Sequence, residues 1–291
     1  MARIAIIGVG AIGGAVAAHL EKTGQHEVLL CVRRPLPELL FEYGAEKRLV
    51  HGRRLLDPAA APAVDWVLVV TKAYDAAATA AWLPTLRAMG APVAVLQNGV
   101  EHRARFAPYV PLDKIVPVVV DVPVERFSPG HVFQRRQMRL RAPDTTAGRE
   151  FVGLFAGTDV QGETPADFET ALWRKLCINC AGIVPTLTLK PAGVFSGEAI
   201  GAVAAAMVRE CIAVARAEGA QIDDSFADEV VQYYRASSPQ AVNSMHADRI
   251  AGRAMELDAR NGVILRLGQK HGIPTPLNAM AVALLEAQVA S

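Results

Sequence analysis

Residues 3–20 read RIAIIGVGAIGGAVAAHL, the most informative stretch of the chain for its architecture. A short β-branched run leads into a G-x-G-x-x-G turn, and an alanine-rich segment typical of a helix follows. In such a turn the first glycine permits the tight bend, the second lets a pyrophosphate approach the backbone, and the third lets helix pack on strand. The order of strand, turn and helix predicts a dinucleotide site rather than a plain glycine-rich turn, with phosphates at the helix N-terminus. The expected contacts are Gly8, Gly10, Ala11, Ile12 and Gly13.

The same stretch also mimics a secretory signal, because it follows a single Arg3 and ends near Ala15-Val16-Ala17. Cleavage there would destroy the glycine spacing, which argues against that interpretation. Elsewhere charges such as Asp121 and Arg209 interrupt the apolar runs before they reach the length of a membrane helix. We therefore expect an intact cytoplasmic protein with no membrane partner.

The length, charge and cysteine content of the chain limit the kinds of ligand that it is expected to bind. The 291 residues suffice for one large or two modest domains, and a net charge of +1 predicts no nucleic-acid partner. The basic cluster at 135–141 partly alternates with apolar residues, which is typical of an exposed edge strand. Cys177 and Cys180 form a C-x-x-C pattern inside a predicted helix, so buried free thiols are favoured over a redox pair or a zinc site, and no metal is expected.

The first half of the chain alternates strands with helices. Strands are predicted at 3–7, 27–32, 66–70, 93–97 and 115–120, with helices at 12–23 and 75–89 among the connections. Near-continuous apolar strands separated by helices predict a doubly wound parallel sheet of the Rossmann type. Residues 130–141 are expected to add an antiparallel strand at its edge.

The second half is predicted to be all-helical. Helices are expected at 168–181, 197–217, 225–236, 244–251, 255–271 and 277–288. This change predicts a dinucleotide-binding Rossmann-type domain over 1–167 and a helical substrate domain over 168–291, with a ligand cleft between them. The apolar stretch 200–206 fits either a core or the seam of a homodimer, and core is the default.

The residue after the second predicted strand discriminates between the nicotinamide nucleotides. An acid there binds the ribose 2′-hydroxyl of NAD, whereas arginine suits the 2′-phosphate of NADP. Here the strand runs into Arg33-Arg34-Pro35, with no acid nearby in the sequence. Lys72 follows the third strand, at the edge where open α/β sheets bind ligands, although a solvated lysine is the alternative. The pattern favours NADP.

Two segments offer polar groups for a substrate. Asn98 follows the fourth strand and carries both a donor and an acceptor, although a plain Asn-Gly turn is the alternative. Lys175 and Asn179 lie four residues apart and share a helix face. A positioned ammonium stabilises negative charge on a carbonyl oxygen and donates a proton to it, although Lys175 alone also fits a surface lysine.

A third segment lies near the C-terminus. Ser244 begins a helical turn and Glu256 opens the next helix, where a carboxylate is also favoured by the helix dipole alone. The alternative is that Glu256 accepts a hydrogen bond from a substrate alcohol while Ser244 holds a carboxylate. Asn261-Gly262 inside that helix indicates a close approach to another element.

Taken together, these motifs resemble the ketopantoate reductases (2-dehydropantoate 2-reductases) over essentially the whole chain. The resemblance rests on G-x-G-x-x-G, Thr-Lys-Ala-Tyr, Gln-Asn-Gly, Trp-Arg-Lys-Leu-x-x-Asn, Ser-Met-x-x-Asp and Glu-x-x-x-x-Asn-Gly, in that order. It implies NADPH-dependent reduction of 2-dehydropantoate, a small 2-oxo acid, to (R)-pantoate in pantothenate biosynthesis. It also implies Lys175 as proton donor and Glu256 as binder of the substrate hydroxyl. The expected site comprises Lys175 and Glu256 for catalysis, Asn98, Asn179 and Ser244 for the substrate, and Gly8, Gly10, Ala11, Ile12, Gly13, Arg33, Lys72, Asn98 and Glu256 for the cofactor.

Two positions depart from the family pattern. Ile183 stands where typical members carry a second asparagine, and Ala241 stands where another is found, although Asn243 offers an amide two residues on. Fewer polar groups favour, as an alternative, a related 2-oxo acid reductase or hydroxy-acid dehydrogenase with a more apolar pocket. A non-catalytic NADP-binding sensor is the other alternative, and the retention of Lys175 and Glu256 argues against it.

Overall fold

A computed structural model describes residues 1–289. Its strands are β1 Ala2–Ile7, β2 His26–Cys31, β3 Leu39–Tyr43, β4 Glu46–Val50, β5 Arg53–Leu55, β6 Trp66–Val69, β7 Val93–Val95, β8 Ile115–Pro117, β9 Val119–Asp121, β10 Val124–Ser128, β11 His131–Gln134, β12 Arg139–Arg141 and β13 Gln161–Glu163. Its helices are α1 Ala11–Lys22, α2 Ala76–Ala80, α3 Leu83–Leu86, α4 His102–Phe106, α5 Thr146–Gly153, α6 Phe168–Ala181, α7 Ile183–Thr188, α8 Glu198–Ala217, α9 Phe226–Ala236, α10 Ser244–Ile250, α11 Val263–His271 and α12 Pro276–Val289.

A six-stranded parallel sheet organises the first half in the order β5-β2-β1-β6-β7-β8. Its central strand β1 is buried from Ile4 to Ile7, because both faces of the sheet are covered by apolar clusters. The predicted parallel Rossmann-type sheet and the helical second half are confirmed. The glycine turn leaves β1 at the middle of the sheet, where the carboxyl ends of β2 and β6 flank it.

The prediction of one edge strand over 130–141 is wrong. β11 pairs with β10 and β3 in a separate four-stranded sheet, while β12 is the middle strand of a third sheet between β13 and β9. The basic residues form ion pairs within these sheets: Arg135 pairs with Glu125 (2.5 Å) and Arg141 pairs with Glu163 (2.8 Å). Alternation of charged and apolar residues describes a strand with one solvated face equally well, so it did not distinguish a middle strand from an edge.

Two other predicted elements are interrupted. The helix expected over 75–89 consists of two short helices, α2 and α3, because Pro84 at the start of α3 lacks the N–H that an uninterrupted helix requires. The strand expected over 115–120 divides at Val118 into β8 and β9, which belong to different sheets.

The chain divides into two compact units. The first contains Met1–Gln97 and Glu101–Phe168, and the second contains Asn98–Val100 together with the chain from Glu169 onward. The second unit has its own apolar core, in which α8 supplies many of the buried side chains. Within the stretch 200–206, Ala204 and Ala205 are buried whereas Val203 is 42% exposed.

The four cysteines are free and buried, as the helical setting of Cys177 and Cys180 predicts. Cys177 Sγ lies 3.6 Å from Cys211 Sγ within the core of the second unit. Among residues 1–289 no helix is long and apolar enough to span a membrane.

Candidate active site

The glycine turn has the backbone geometry that a pyrophosphate requires. Gly8 adopts φ +97°, and a Cβ there would lie 2.7 Å from Thr71 Cγ2. A Cβ on Gly13 would overlap the Gly8 carbonyl oxygen, so helix α1 can pack this closely only on glycine. A Cβ on Gly10, by contrast, would meet no atom within 4 Å. The N-terminus of α1, with Ala11 and Ile12 in its first turn, therefore faces open space beside Gly10 and fits a phosphate group.

Charged residues flank this turn on both sides. Arg33 follows β2 and is 73% exposed at its side chain, and its Nη1 lies 3.3 Å from Asp75 Oδ1. Asp75 comes from the segment after β6 that also carries the half-buried Lys72. The acid that the sequence lacks near Arg33 is thus supplied from 42 residues further along the chain.

Gln97 ties together the ends of two neighbouring strands. Its Nε2 donates to Thr71 Oγ1 (3.0 Å) and to the Lys72 carbonyl (3.2 Å). Its own carbonyl accepts a hydrogen bond from Nε2 of His102 (2.7 Å), and burial lowers the pKa of His102 to about 4, so the ring is neutral at pH 7. These bonds fix the end of β7 just before the chain reaches Asn98.

Three of the predicted site residues form one hydrogen-bonded set, which we call the amide–carboxylate cluster: Asn98 and Asn179, predicted for the substrate, and Glu256, predicted for catalysis. Asn98 Nδ2 donates to Glu256 Oε2 (3.0 Å), and Asn98 Oδ1 accepts from Asn179 Nδ2 (3.3 Å). Glu256 is 6% exposed, whereas Asn98 and Asn179 are half-buried. The partners are separated by 158 and 81 residues, so only the fold brings them together.

A π-turn over Asp258–Gly262 follows Glu256 and packs against the Asn98 loop. Gly99 adopts φ +99°, and a Cβ there would lie 2.7 Å from the Ala259 carbonyl oxygen. The close approach that Asn261-Gly262 indicates is therefore real: the fully buried Asn261 donates to the Cys180 carbonyl (3.2 Å). Wider turns of this kind often occur at functional sites.

Helix α6 carries Lys175 one turn before Asn179, and both side chains are half-buried. The last carbonyls of a helix lack partners within it and need donors from elsewhere. Here side chains supply them: Tyr234 Oη donates to Ile178 O (2.9 Å), and Arg260 Nη2 donates to Asn179 O (2.6 Å). The end of α6 is thus held in place from three sides, including Asn261 at the next carbonyl.

Within residues 1–289 the remaining predicted positions form no hydrogen bond to the cluster residues. Ser244 is the exposed first residue of α10, and within the described chain its hydroxyl bonds to none of the cluster residues. Asn243, the amide two residues after Ala241, is already engaged: its Oδ1 caps α10 and its Nδ2 donates to the Gly182 carbonyl (2.8 Å). Ile183 is fully buried at the start of α7.

Three residues near these sites were not predicted from the sequence: Asp75, His102 and Arg260. Asp75 and His102 contact Arg33 and Gln97 through packing between segments, for which the sequence carries no local signal. Arg260 lies one turn after Glu256, and that spacing was a signal that the two share a region of the helix.

Comparison with known proteins gives consistent matches along the chain. The family described as ketopantoate reductase PanE/ApbA matches residues 4–146, and its C-terminal part matches residues 167–289. A 2-dehydropantoate 2-reductase of Caulobacter vibrioides is 49% identical over 99% of each chain. The structure of a PanE/ApbA family ketopantoate reductase from Ralstonia eutropha JMP134 is 32% identical, with a TM-score of 0.89 over 99% of this chain and 98% of the other. A D-mandelate dehydrogenase with NADH and anilino(oxo)acetate shares the fold at 21% identity, with a TM-score of 0.89 over 99% and 98% of the two chains.

Proposed function

The chain belongs to the ketopantoate reductase family, and from this premise we propose that it reduces 2-dehydropantoate to pantoate with NADPH. The observation that carries the proposal is the amide–carboxylate cluster, held beside the helix that bears Lys175. In this proposal the first unit binds the nucleotide and the second binds the 2-oxo acid.

Lys175 is the proton donor in this mechanism. Reduction of a keto group adds a hydride to carbon and leaves negative charge on oxygen, and NADPH supplies that hydride when bound. The Lys175 ammonium stabilises the charge and transfers a proton to the oxygen, which completes the alcohol. The bonds that Tyr234 and Arg260 make to the end of α6 fix the direction in which this helix presents Lys175.

Glu256 orients the substrate hydroxyl. A buried carboxylate needs hydrogen-bond donors, and Asn98 supplies one at 3.0 Å. Glu256 accepts a second bond from the hydroxyl, while Asn98 and Asn179 present amide groups to the other substrate oxygens. Ser244 is a further contact for the substrate in this proposal.

A nicotinamide nucleotide is the cofactor, and we infer that it is NADPH. Arg33 and Lys72 are placed beside the glycine turn, where a 2′-phosphate and the pyrophosphate need positive charge. The Arg33–Asp75 pair lies at the surface, and such pairs contribute only about 0–1 kcal/mol. A doubly charged phosphate therefore displaces or shares Arg33 without a large penalty.

A related 2-oxo acid with a more apolar side chain is the second candidate substrate. The buried Ile183 supports it, since an amide is expected there in a site for 2-dehydropantoate. The fold itself also accommodates a 2-oxo acid analogue in the D-mandelate dehydrogenase structure.

The test is NADPH oxidation by the purified chain with 2-dehydropantoate, measured beside phenylglyoxylate and 2-oxoisovalerate and repeated with NADH. We expect the highest kcat/KM for 2-dehydropantoate with NADPH. A higher kcat/KM for either other acid would support the same mechanism with that acid as the substrate. Tight NADPH binding without turnover of any acid would refute the proposal in favour of a sensor.

A further inference from the structure

Arg260 is a buried cation without a carboxylate partner. It lies in the π-turn, four residues after Glu256, and only 2% of its surface is exposed. Across residues 1–289 its guanidinium makes one hydrogen bond, to the Asn179 carbonyl, and no ion pair, and its Nε has no partner. Arg260 therefore enters the interior with most of its donors unused, although a guanidinium has five.

Such burial is energetically unfavourable. Buried charges are ordinarily paired, and an apolar residue of similar volume in the same place is often neutral or stabilising. Burial lowers the pKa of Arg260, while the attraction of Tyr234 and Glu256 opposes that shift. One hydrogen bond to a backbone carbonyl does not explain the burial of a charged group. Neutral side chains suffice for that purpose, since Tyr234 and Asn261 donate to the neighbouring carbonyls.

The guanidinium lies against the part of α6 that the substrate site uses. Its Nη2 bonds to the carbonyl of Asn179, whose side chain belongs to the amide–carboxylate cluster. Gly182 makes room for it, since a Cβ there would lie 2.7 Å from Arg260 Nη2 and 2.8 Å from Tyr234 Oη. The next residue is Ile183, which lacks the amide expected from the family pattern.

We propose that Arg260 recognises the carboxylate of the 2-oxo acid substrate. A guanidinium binds a carboxylate through two parallel N–H···O bonds, which supply both charge and orientation. Arg260 then takes over, with a full charge, the role that amides at positions 183 and 241 would have filled. This inference rests on the proposed function and names the group that selects acids over neutral ketones in it.

The experiment compares 2-dehydropantoate with its neutral primary amide in wild type and in Arg260→Met. Removal of a charged, two-bond contact is expected to lower kcat/KM for the acid about 100-fold, chiefly through KM. The neutral amide does not engage the charge, so it should lose only the part of kcat/KM that depends on support of α6, at least about tenfold less than the loss for the acid. The preference for acid over amide should therefore disappear in the variant.

Two further variants make the result decisive. Arg260→Lys keeps the positive charge but lacks the planar guanidinium that forms two parallel bonds. It should retain most of the preference for the acid, and it still tests the proposal if Arg260→Met does not fold. Tyr234→Phe removes the neighbouring bond to α6 and should lower kcat/KM for the acid and for the amide by the same factor. Equal losses for both substrates in Arg260→Met would assign Arg260 to support of α6 and overturn the inference. Absence of turnover in wild type would instead reject the proposed function, so the two failures are distinguishable.

Discussion

Backbone atoms determine the geometry of the glycine turn of residues 8–13, whereas hydrogen bonds between side chains determine the geometry of the amide–carboxylate cluster. In the turn, Gly8 and Gly13 matter because any side chain there would collide with Thr71 or with the Gly8 carbonyl. In the cluster, Asn98 and Glu256 matter because their own atoms bond each other across 158 residues. In the first region the glycines permit close packing of the backbone beside the open space at Gly10, whereas in the second region polar side chains come together. We expect substitutions in the turn to change nucleotide binding, and substitutions in the cluster or at Lys175 to change turnover.

The largest effect that would sharpen this comparison is expected for Lys175→Ala. Loss of the proton donor should lower kcat about a thousandfold, while the dissociation constant of NADPH stays within about twofold. Steady-state kinetics and a fluorescence titration of NADPH measure the two quantities. Lys190→Ala, at an exposed lysine of the same unit, serves as the matched control. Near-normal kcat in Lys175→Ala would remove Lys175 from the mechanism.

Two alanine substitutions test the second and third glycines of the turn. Gly10→Ala places a methyl group in open space, so thermal stability should be unchanged while NADPH affinity falls about a hundredfold. Gly13→Ala creates an overlap with the Gly8 carbonyl and should lower both the Tm and the affinity. Differential scanning fluorimetry and titration distinguish the two responses. An unaltered affinity in Gly10→Ala would mean that no phosphate lies there.

A smaller effect is expected at Arg33 and its partner. Arg33→Ala should weaken NADPH binding about tenfold, since an exposed charged contact is partly screened, and should leave NADH binding unchanged. Asp75→Asn frees the guanidinium and should strengthen NADPH binding a few-fold, the opposite sign. If NADH binding falls equally in Arg33→Ala, Arg33 does not read the 2′-phosphate.

The smallest effect concerns pH. The pKa of His102 is lowered to about 4 in the folded chain, below the ordinary value of 6.5, so the unfolded chain binds the proton more readily. Stability from this group is complete above pH 6.5 and is lost as pH falls, by about 1.4 kcal/mol at pH 5.5. The decrease in Tm between pH 7.5 and 5.5 should therefore be a few degrees smaller in His102→Gln than in wild type. His51→Gln, at an exposed histidine, should behave like wild type, and an identical decrease in all three proteins would contradict this assignment.

The comparison also explains how far the sequence could predict the molecule. The turn is contiguous, so its glycine spacing predicts its geometry directly. The hairpin of β3 and β4 went unpredicted, because residues 35–65 carry no strong alternation and the strands gain their burial from β11 and α1. Lys175 and Asn179 were correctly predicted to lie on one helix, because a spacing of four residues within one segment can be identified from the sequence alone. The bond between Arg33 and Asp75 and the unpaired burial of Arg260 depend on how separate segments pack, and no local pattern encodes that.

Isotope transfer from NADPH that carries deuterium at both C4 positions tests directly whether this chain delivers a hydride to the keto carbon. With 2-dehydropantoate, we expect pantoate that contains one deuterium, on the carbon bearing the new hydroxyl, in equal amount to the NADPH oxidised. The Lys175→Ala variant should form the same labelled product far more slowly. Oxidation of NADPH without labelled pantoate would contradict the claim that this chain transfers a hydride to that keto carbon.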